Sequence, residues 1–235
     1  MKTALITGGS RGIGAAIARD LSRDFHVIIG ARTEAAARSI ADELPNASIF
    51  VADLGDAAAV EKAVAELLES LGESGLDVVV HSAGVYVDGP IAEVSRADWS
   101  RIMEINVVAV AELTRLLLPA LRAARGTVVA INSGSGFRSS PGTAPYAASK
   151  FALRAFTDAL REEERGVVRV SSVHPGRVDT DMQVELQSNW HKDEPQWRYD
   201  GSTFMKPESI AAAVRLVVDA GEDANVDEIQ VRPRG

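Results

Sequence analysis

The sequence predicts an α/β protein in which seven mostly parallel strands form one doubly wound, Rossmann-type sheet between two layers of helices. Two observations predict this fold. Short apolar runs alternate with longer segments rich in Ala, Leu, Glu and Arg, and a glycine-rich loop joins the first run to the first helical segment. Strands that are buried on both faces show nearly continuous apolar runs, as in a parallel sheet covered by helices. The alternation then favours a three-layer α/β/α sheet with right-handed crossovers.

The predicted strands share β-branched, largely uncharged sequences. They are Ala4–Thr7, His26–Gly30, Ser48–Val51, Asp77–His81, Gly126–Asn132, Val167–His174 and Glu228–Val231. Intervening segments favour helix by propensity and by the spacing of their apolar residues, as in Ala15–Arg23, Ala57–Leu71 and Ser149–Arg165. Because the alternation of strand and helix patterns continues over the whole sequence, we predict a single domain over residues 1–235.

One segment, at about 181–206, shows neither a strand nor a helix period. It places four aromatic residues among charged ones, namely Trp190, Trp197, Tyr199 and Phe204. Long irregular segments are uncommon in compact domains and often act as lids. We therefore predict an irregular substrate lid here, with local packing or a subunit contact as equally weighted alternatives for the aromatic residues. His191, in the same segment, is a weaker candidate for substrate contact.

Composition excludes several classes of protein. With 46% hydrophobic and 25% charged residues the chain has a globular composition, and its net charge of -8 disfavours nucleic-acid binding. It has no cysteine, which excludes disulfides and thiolate zinc sites, and no His/Asp/Glu set has metal-binding spacing. The N-terminus has no apolar run of signal-peptide length, and charges interrupt the apolar stretch Val107–Leu121. We expect a cytoplasmic protein without a metal and without membrane or nucleic-acid partners.

The loop after the first strand reads Thr7–Gly14, with the spacing Gly-x-x-x-Gly-x-Gly, and leads directly into a helix. Glycines permit a tight turn and close approach of a pyrophosphate, and the helix N-terminus offers N–H groups and a positive dipole end. A glycine-rich turn without a ligand is the alternative. The predicted cofactor contacts in this loop are Gly8, Ser10, Arg11, Gly12, Ile13 and Gly14.

Two arginines indicate which dinucleotide is bound. The second strand is followed by Arg32, where a binder of the unphosphorylated cofactor usually has an acidic residue, and Arg11 lies inside the glycine loop. A guanidinium matches a phosphate in charge and geometry. The sequence therefore predicts NADP(H), unless both arginines are merely solvated.

Other predicted cofactor contacts follow the remaining strands, since ligands of open α/β sheets bind at the carboxyl edge. Asp53 is a candidate acceptor for the adenine amino group, although an aspartate here is also a common helix cap. A plain turn is the alternative for the small residues. The full set comprises Asp53, Leu54, Ser82, Ala83, Gly84, Pro175, Gly176, Val178 and Thr180. His81 and His174 end strands and are expected to be polar core histidines, with contact to the surroundings of the cofactor as the alternative.

The candidate catalytic residues begin with Tyr146 and Lys150, which share one face of a predicted helix because they lie four residues apart. A nearby ammonium favours phenolate and lowers the pKa of a tyrosine, which suits proton transfer near neutral pH. Ser133 ends the fifth strand and is a candidate to bind a substrate oxygen, with Ser135 as a competitor. Asn106 interrupts the helical stretch Met103–Leu118, where Asn is unfavourable, and suggests a kink or a polar network.

These motifs, in this order, resemble the short-chain dehydrogenase/reductase family, in its compact subfamily, over nearly the whole chain. The resemblance implies an Asn-Ser-Tyr-Lys tetrad at Asn106, Ser133, Tyr146 and Lys150, with Asn106, Tyr146 and Lys150 also facing the cofactor. In the implied mechanism, nicotinamide hydride reaches a carbonyl carbon while Tyr146 protonates the oxygen. Lys150 would contact the nicotinamide ribose, and Asn106 would help hold a water linking Lys150 to solvent.

The resemblance also implies a homodimer or homotetramer. The sequence ends at Gly235, just after the last predicted strand, which leaves the choice between these assemblies open. Ser82 departs from the family, which usually has Asn before Ala-Gly, and a hydrogen bond near the adenine ribose or central sheet is expected to be weaker. The favoured function is an NADP(H)-dependent carbonyl reductase or alcohol dehydrogenase. The alternative is an inactive NADP(H)-binding regulator or scaffold of the same fold.

Overall fold

The computed structural model of the protein describes residues 1–234. Its strands are β1 (Lys2–Thr7), β2 (Phe25–Ala31), β3 (Ala47–Val51), β4 (Val78–His81), β5 (Thr127–Ile131), β6 (Arg169–Pro175) and β7 (Glu228–Val231). They form one sheet in the order β3-β2-β1-β4-β5-β6-β7, and every neighbouring pair is parallel. The predicted fold class is confirmed, and the sheet is fully rather than mostly parallel over the described residues.

Eight α-helices connect and cover these strands over residues 1–234. They are α1 (Gly12–Leu21), α2 (Glu34–Ala41), α3 (Ala57–Leu71), α4 (Arg96–Met103), α5 (Ala109–Ala124), α6 (Ala144–Glu163), α7 (Asp181–Trp190) and α8 (Pro207–Val218). A π-helical segment, Glu104–Val108, joins α4 to α5. Among them, no helix is long and apolar enough to cross a membrane.

The sheet has a hydrophobic core on each face. Successive strand residues point to opposite faces, so Val78 and Val80 of β4 join the core beneath α1, α2 and α8, while Val79 joins the core beneath α3 and α5. All three valines are almost fully buried. Double burial explains the continuous apolar runs of the sequence and gives the predicted three layers.

The strand order reverses direction beside β1. The chain runs outward from β1 through β2 to β3, then returns to place β4 on the other side of β1. In open α/β sheets this reversal opens a crevice at the carboxyl ends of the strands, where ligands bind. The glycine loop after β1 and Ser82–Gly84 after β4 both lie at this crevice.

The prediction that residues 181–206 lack a helix period was wrong for Asp181–Trp190, which form α7. The Thr180 side chain caps the helix by accepting a hydrogen bond from Gln183 N at 3.3 Å. Its buried positions include Gln183 and Gln187, so the side of the helix that faces the protein is polar and leaves no apolar period. Residues 191–206 are turns with one short 3₁₀ segment, Gly201–Thr203.

Candidate active site

The glycine loop places backbone close to the end of β4. Gly8 has a φ of +63°, and a Cβ atom there would lie 2.9 Å from Ala83 Cα. Gly12 has a φ of +52° and begins α1, whose first turn contains no acidic side chain. Gly14 packs so tightly against Gly8 O that no Cβ fits. The loop therefore leads into a helix N-terminus that has room for a ligand and no acidic side chain in its first turn. A helix N-terminus of this kind binds an anionic pyrophosphate.

Thr7 holds the two sides of the crevice together. Its Oγ1 accepts hydrogen bonds from the N–H groups of Ser82 and Ala83, both at 3.1 Å. Sequence reasoning did not select Thr7 as a site residue, although a threonine directly before the first glycine was the available signal. Because these bonds use the main chain of Ser82, the contact does not depend on the side chain at that position.

Arg11 and Arg32 are both exposed at the crevice side of the sheet. Arg11 precedes α1 and Arg32 follows β2, the neighbour of β1. Within residues 1–234 neither guanidinium forms an ion pair, whereas Arg19, Arg38 and Arg215 all do. The two side chains are thus free to bind an anion.

Asp53 follows β3 and is exposed, and its Oδ1 accepts a hydrogen bond from Gly55 N at 3.0 Å. The cap of α3 is Asp56, whose side chain accepts from Ala59 N. The helix-cap alternative for Asp53 is therefore not what is observed. Leu54, beside it, packs against the core beneath α3.

Asn106 lies in the π-helical segment and is 1% exposed. Its Oδ1 accepts from Val85 N at 2.9 Å, and its Nδ2 donates to Val85 O at 2.9 Å and to Ser149 Oγ at 3.0 Å. Ser149 Oγ in turn donates to Tyr146 O at 2.8 Å. The kink and the polar network suggested by the sequence are both present, and they join the loop after Gly84 to the helix that carries Tyr146.

Lys150 is 5% exposed, and its Nζ donates to Ile131 O, at the end of β5, at 2.9 Å. Nζ also lies 5.7 Å from the centroid of the Tyr146 ring. Burial lowers the pKa of Lys150 to about 8. The i, i+4 pair therefore meets as predicted, with the ammonium inside the protein rather than in solvent.

Tyr146 differs from expectation in its pKa. Burial raises the pKa of its phenol, and the hydrogen bond with Ser133 opposes that shift only in part. The net shift of the Tyr146 pKa is therefore upward rather than downward as expected, because desolvation of the phenol dominates while the Lys150 ammonium donates to Ile131 O. The phenol is accordingly held in its protonated, donor form.

The hydroxyl of Ser133, and not that of Ser135, is the one that acts to lower the pKa of the Tyr146 phenol. Ser135 contributes its main-chain N–H, which donates to Ser133 Oγ at 3.1 Å. Tyr86 also belongs to this site, since its ring lies 4.7 Å from that of Tyr146, centroid to centroid. No sequence signal marked Tyr86, because the contact depends on how the loop after β4 folds over α6.

The loop after β6 leads from the sheet to α7. Gly176 N donates to Val231 O at 2.7 Å, which fixes the turn after Pro175 against β7. Val178 is buried and bridges to Met205. Thr180 then reaches the glycine loop, because a Cβ on Gly12 would lie 3.4 Å from Thr180 Cγ2. These predicted cofactor residues thus border the same crevice.

The segment after Thr180 is attached at its far end to the loop after β4. Trp190 Nε1 donates to Asp88 Oδ2 at 2.8 Å. The other aromatic residues pack on one another: His191 stacks on Trp197 at 4.7 Å, and Tyr199 on Phe204 at 5.5 Å. Local packing thus accounts for the aromatic residues after α7, while α7 itself runs from the glycine loop to Asp88.

The family model described as short chain dehydrogenase matches residues 2–190. The chain belongs to this family. The chain therefore has an oxidoreductase fold with a crevice for a nicotinamide dinucleotide. The family also explains why a glycine loop, a buried lysine and a tyrosine lie at one edge of the sheet. Among the residues described, no group of three His, Cys, Asp or Glu side chains is placed to hold a metal.

Individual relatives have related oxidoreductase names. A glycine betaine reductase of Emericella nidulans is 33% identical over 99% of this chain, which spans only 19% of that relative's length. A 3-oxoacyl-(acyl-carrier-protein) reductase of Chlamydia trachomatis is 31% identical over 94% of this chain and 91% of the relative.

Two solved structures are closely similar to this chain in fold. An alcohol dehydrogenase from the archaeon Thermococcus sibiricus, complexed with 5-hydroxy-NADP, has a TM-score of 0.87 and 30% identity over 100% of this chain and 97% of that one. A variant of actinorhodin polyketide ketoreductase with NADPH has a TM-score of 0.88 and 27% identity over 99% and 96%.

Proposed function

We propose that the protein is an NADP(H)-dependent oxidoreductase that transfers hydride between nicotinamide and a carbonyl or secondary alcohol, working as a reductase. The observation that carries this proposal is the meeting of Lys150, Tyr146 and Ser133 at the end of β5. A protonated phenol beside a hydroxyl and a buried ammonium is an acid that can donate to a substrate oxygen.

The crevice fits a phosphorylated dinucleotide. The pyrophosphate would lie on the N-terminus of α1, where Gly8 and Gly12 leave room and no carboxylate repels it. Arg11 and Arg32, without ion-pair partners in the described part of the chain, would hold the 2′-phosphate. The NADP-type ligands of the two solved neighbours support the same assignment. Asp53 and Leu54, Ser82–Gly84 and Pro175–Thr180 would border the remaining cofactor groups.

The residues of this chain divide the work of reduction. A dinucleotide held by the glycine loop and by Arg11 and Arg32 would supply the hydride for the carbonyl carbon. Ser133 donates a hydrogen bond to the carbonyl oxygen, and Tyr146 transfers its proton to that oxygen as negative charge develops there. Lys150 stabilises the phenolate left on Tyr146, and Asn106 keeps α6 aligned with the loop after β4. In the oxidation direction the same groups act in reverse.

The buried ammonium supports an enzyme over a scaffold of the same fold. Lowering the pKa of Lys150 from 10.5 to about 8 means that keeping the charge at pH 7 costs about 3 kcal/mol. Its position 5.7 Å from the centroid of the Tyr146 ring supports a part in proton transfer in addition to any part in cofactor binding. The names of the relatives, which include a 3-oxoacyl reductase and an alcohol dehydrogenase, support carbonyl chemistry.

Oxidation of NADPH in the presence of aliphatic β-keto esters, aromatic ketones and quinones tests the proposal. We expect turnover of at least one class with NADPH preferred over NADH. If the protein binds NADPH but turns over neither these carbonyls nor, with NADP⁺, the corresponding alcohols, the alternative of a scaffold protein without catalysis would be supported instead.

The substitution Arg32→Asp tests the cofactor assignment. Removing one phosphate-binding cation and adding an acceptor for ribose hydroxyls should weaken NADPH binding by about ten-fold or more while NADH binding is kept or improved. Dissociation constants for both cofactors measure this. Arg38→Asp is the matched control, since Arg38 pairs with Glu34 on α2. Equal weakening of both cofactors would contradict the role of Arg32.

We also propose that the protein is a homodimer or homotetramer and that it works in the cytoplasm. Exposed apolar side chains at Val108 and Phe151, 49% and 45% exposed, favour association through the α5 and α6 side of the molecule. Light scattering of the purified protein checks the oligomeric state.

A further inference from the structure

We infer that His174 is a positioning residue for Ser133: it holds the main-chain carbonyl of this serine in place by donating a hydrogen bond from Nδ1. The inference rests on the proposed function, in which Ser133 binds the substrate oxygen. His174 is the penultimate residue of β6 and is 1% exposed. Its Nδ1 lies 3.1 Å from Ser133 O. The strand-end histidine thus contacts the backbone of a candidate catalytic residue.

Ser133 needs such support because it lies beyond the end of β5, where the regular pairing with β6 has stopped. Its N–H is held from the other side by Asn132 Oδ1 at 2.9 Å, and Asn132 N donates to Val173 O at 2.7 Å. Ser133 O also accepts a hydrogen bond from Gly136 N at 3.0 Å. The peptide groups on both sides of Ser133 are therefore fixed by side chains, by β6 and by the turn that follows, and His174 supplies the side-chain contact to the carbonyl. Small displacements of a catalytic group cost large factors in rate.

The chemistry of the contact specifies one tautomer. A carbonyl oxygen only accepts, so Nδ1 must carry a proton. The ring is kept in this orientation by Phe137, whose ring centroid lies 4.5 Å away. Within residues 1–234, Nε2 has no hydrogen-bond partner, and it lies 3.6 Å from Glu228 Oε1.

Charged groups around the ring come from two elements. Burial lowers the pKa of His174 most, the hydrogen bond to Ser133 and the charge of Glu228 of β7 raise it, and Arg154 and Lys150 of α6 lower it, so the net shift is downward. Arg154 Nε donates to Glu228 Oε1 at 2.9 Å and its guanidinium lies 4.3 Å from the Phe137 ring. The imidazole is therefore neutral at pH 7, with its single proton on Nδ1.

Nitrogen NMR of the full chain labelled at its four histidines tests the geometry without any substrate. The His174→Asn spectrum identifies the His174 signals. We expect the Nδ1–H tautomer at pH 7. The Nε2–H tautomer would overturn the inference, because Nδ1 would then have no proton to donate. Since no turnover is required, this result stands whether or not carbonyl reduction is observed.

A matched pair of substitutions tests the effect on turnover, using NADPH and the carbonyl compound that wild type reduces best. His174→Leu removes the donor, whereas His174→Asn places an amide Nδ2 near the position of Nδ1. We expect His174→Leu to lower kcat by about ten-fold or more with the KM for NADPH unchanged, and His174→Asn to restore most of it. Equal losses in both variants, or wild-type kcat in His174→Leu, would overturn the inference.

Neighbouring acids supply a further control. Glu228 faces the ring, whereas the Asp227 side chain is exposed and lies 3.6 Å from Arg161. In NMR titrations, Glu228→Gln should lower the pKa of His174 while Asp227→Asn leaves it unchanged. Equal effects of the two substitutions would contradict the placement of His174 against Glu228. If His174→Leu does not fold, the tautomer and this titration decide the question.

Discussion

Lys150 and Tyr146 show how burial changes the roles of a familiar residue pair. An i, i+4 spacing places a phenol and an ammonium together, and on that basis alone the ammonium is expected to lower the pKa of the tyrosine. Inside the protein, desolvation acts on both groups: it raises the pKa of Tyr146 and lowers that of Lys150 to about 8. The resting pair is then a protonated acid beside a cation that loses its proton easily.

The pH dependence of reduction follows from this pair. Lys150 is charged below about pH 8 and becomes neutral as the pH rises through that value, so it then no longer stabilises the phenolate. Because the pKa of Tyr146 is raised, the phenol itself stays protonated over the same range. We expect kcat for carbonyl reduction to fall on the alkaline side of about pH 8 in a pH–rate profile measured with NADPH.

The variant Lys150→Arg is the control for this assignment. Arginine keeps its charge at every pH of the assay, so the kcat of Lys150→Arg should show no decline near pH 8, whatever its absolute value. A wild-type profile that is flat from pH 7 to pH 9, or an identical decline in Lys150→Arg, would contradict the role of Lys150.

At the scale of elements, the break between α4 and α5 is explained by Asn106. A π-helical turn inserts an extra residue and turns one side chain out of the regular pattern, and here that side chain bonds Val85 and Ser149. A mid-helix asparagine was enough to predict a kink or a network. It did not identify Val85 as the partner, because that contact spans two elements distant in sequence.

The substitution Asn106→Ala measures what this segment contributes. It leaves the N–H and the carbonyl of Val85, which are partly buried, without these partners, and each group left unpaired in the interior costs about 1–3 kcal/mol. We expect the free energy of unfolding to fall by about 2–4 kcal/mol in denaturant titrations, with a clear loss of kcat. Ser149→Ala removes one of the three bonds and is the graded control. A change below 1 kcal/mol in Asn106→Ala would show that the network is not stabilising.

The element missed from the sequence is α7, and the reason is physical. Helices are predicted from an apolar stripe, whereas the buried positions of α7 include Gln183 and Gln187. Its local signal was the cap Thr180, which the sequence marked only as a cofactor contact. The anchoring of its end through Trp190 and Asp88 joins residues about a hundred positions apart and has no local signature.

At the scale of the whole molecule, the sheet was predictable because its central strands are buried on both faces and because strands alternate with helices along the sequence. The crevice was predictable because parallel strands bring their carboxyl ends to one edge. Contacts across that edge, such as those of Thr7 with Ser82 and of His174 with Ser133, were not predicted. Both histidines that end strands were expected to be core residues, and only packing distinguishes His174, beside Ser133, from His81, beside Thr114.

One substitution tests the central claim that Tyr146 is the proton donor of a hydride-transfer enzyme. Tyr146→Phe keeps the ring, and with it the packing against Tyr86, but removes the hydroxyl. Measured side by side, the NADPH dissociation constant should stay within about two-fold of wild type while kcat for carbonyl reduction falls by about 10²–10⁴-fold, the range of general acid catalysis. Wild-type turnover in Tyr146→Phe would contradict the claim.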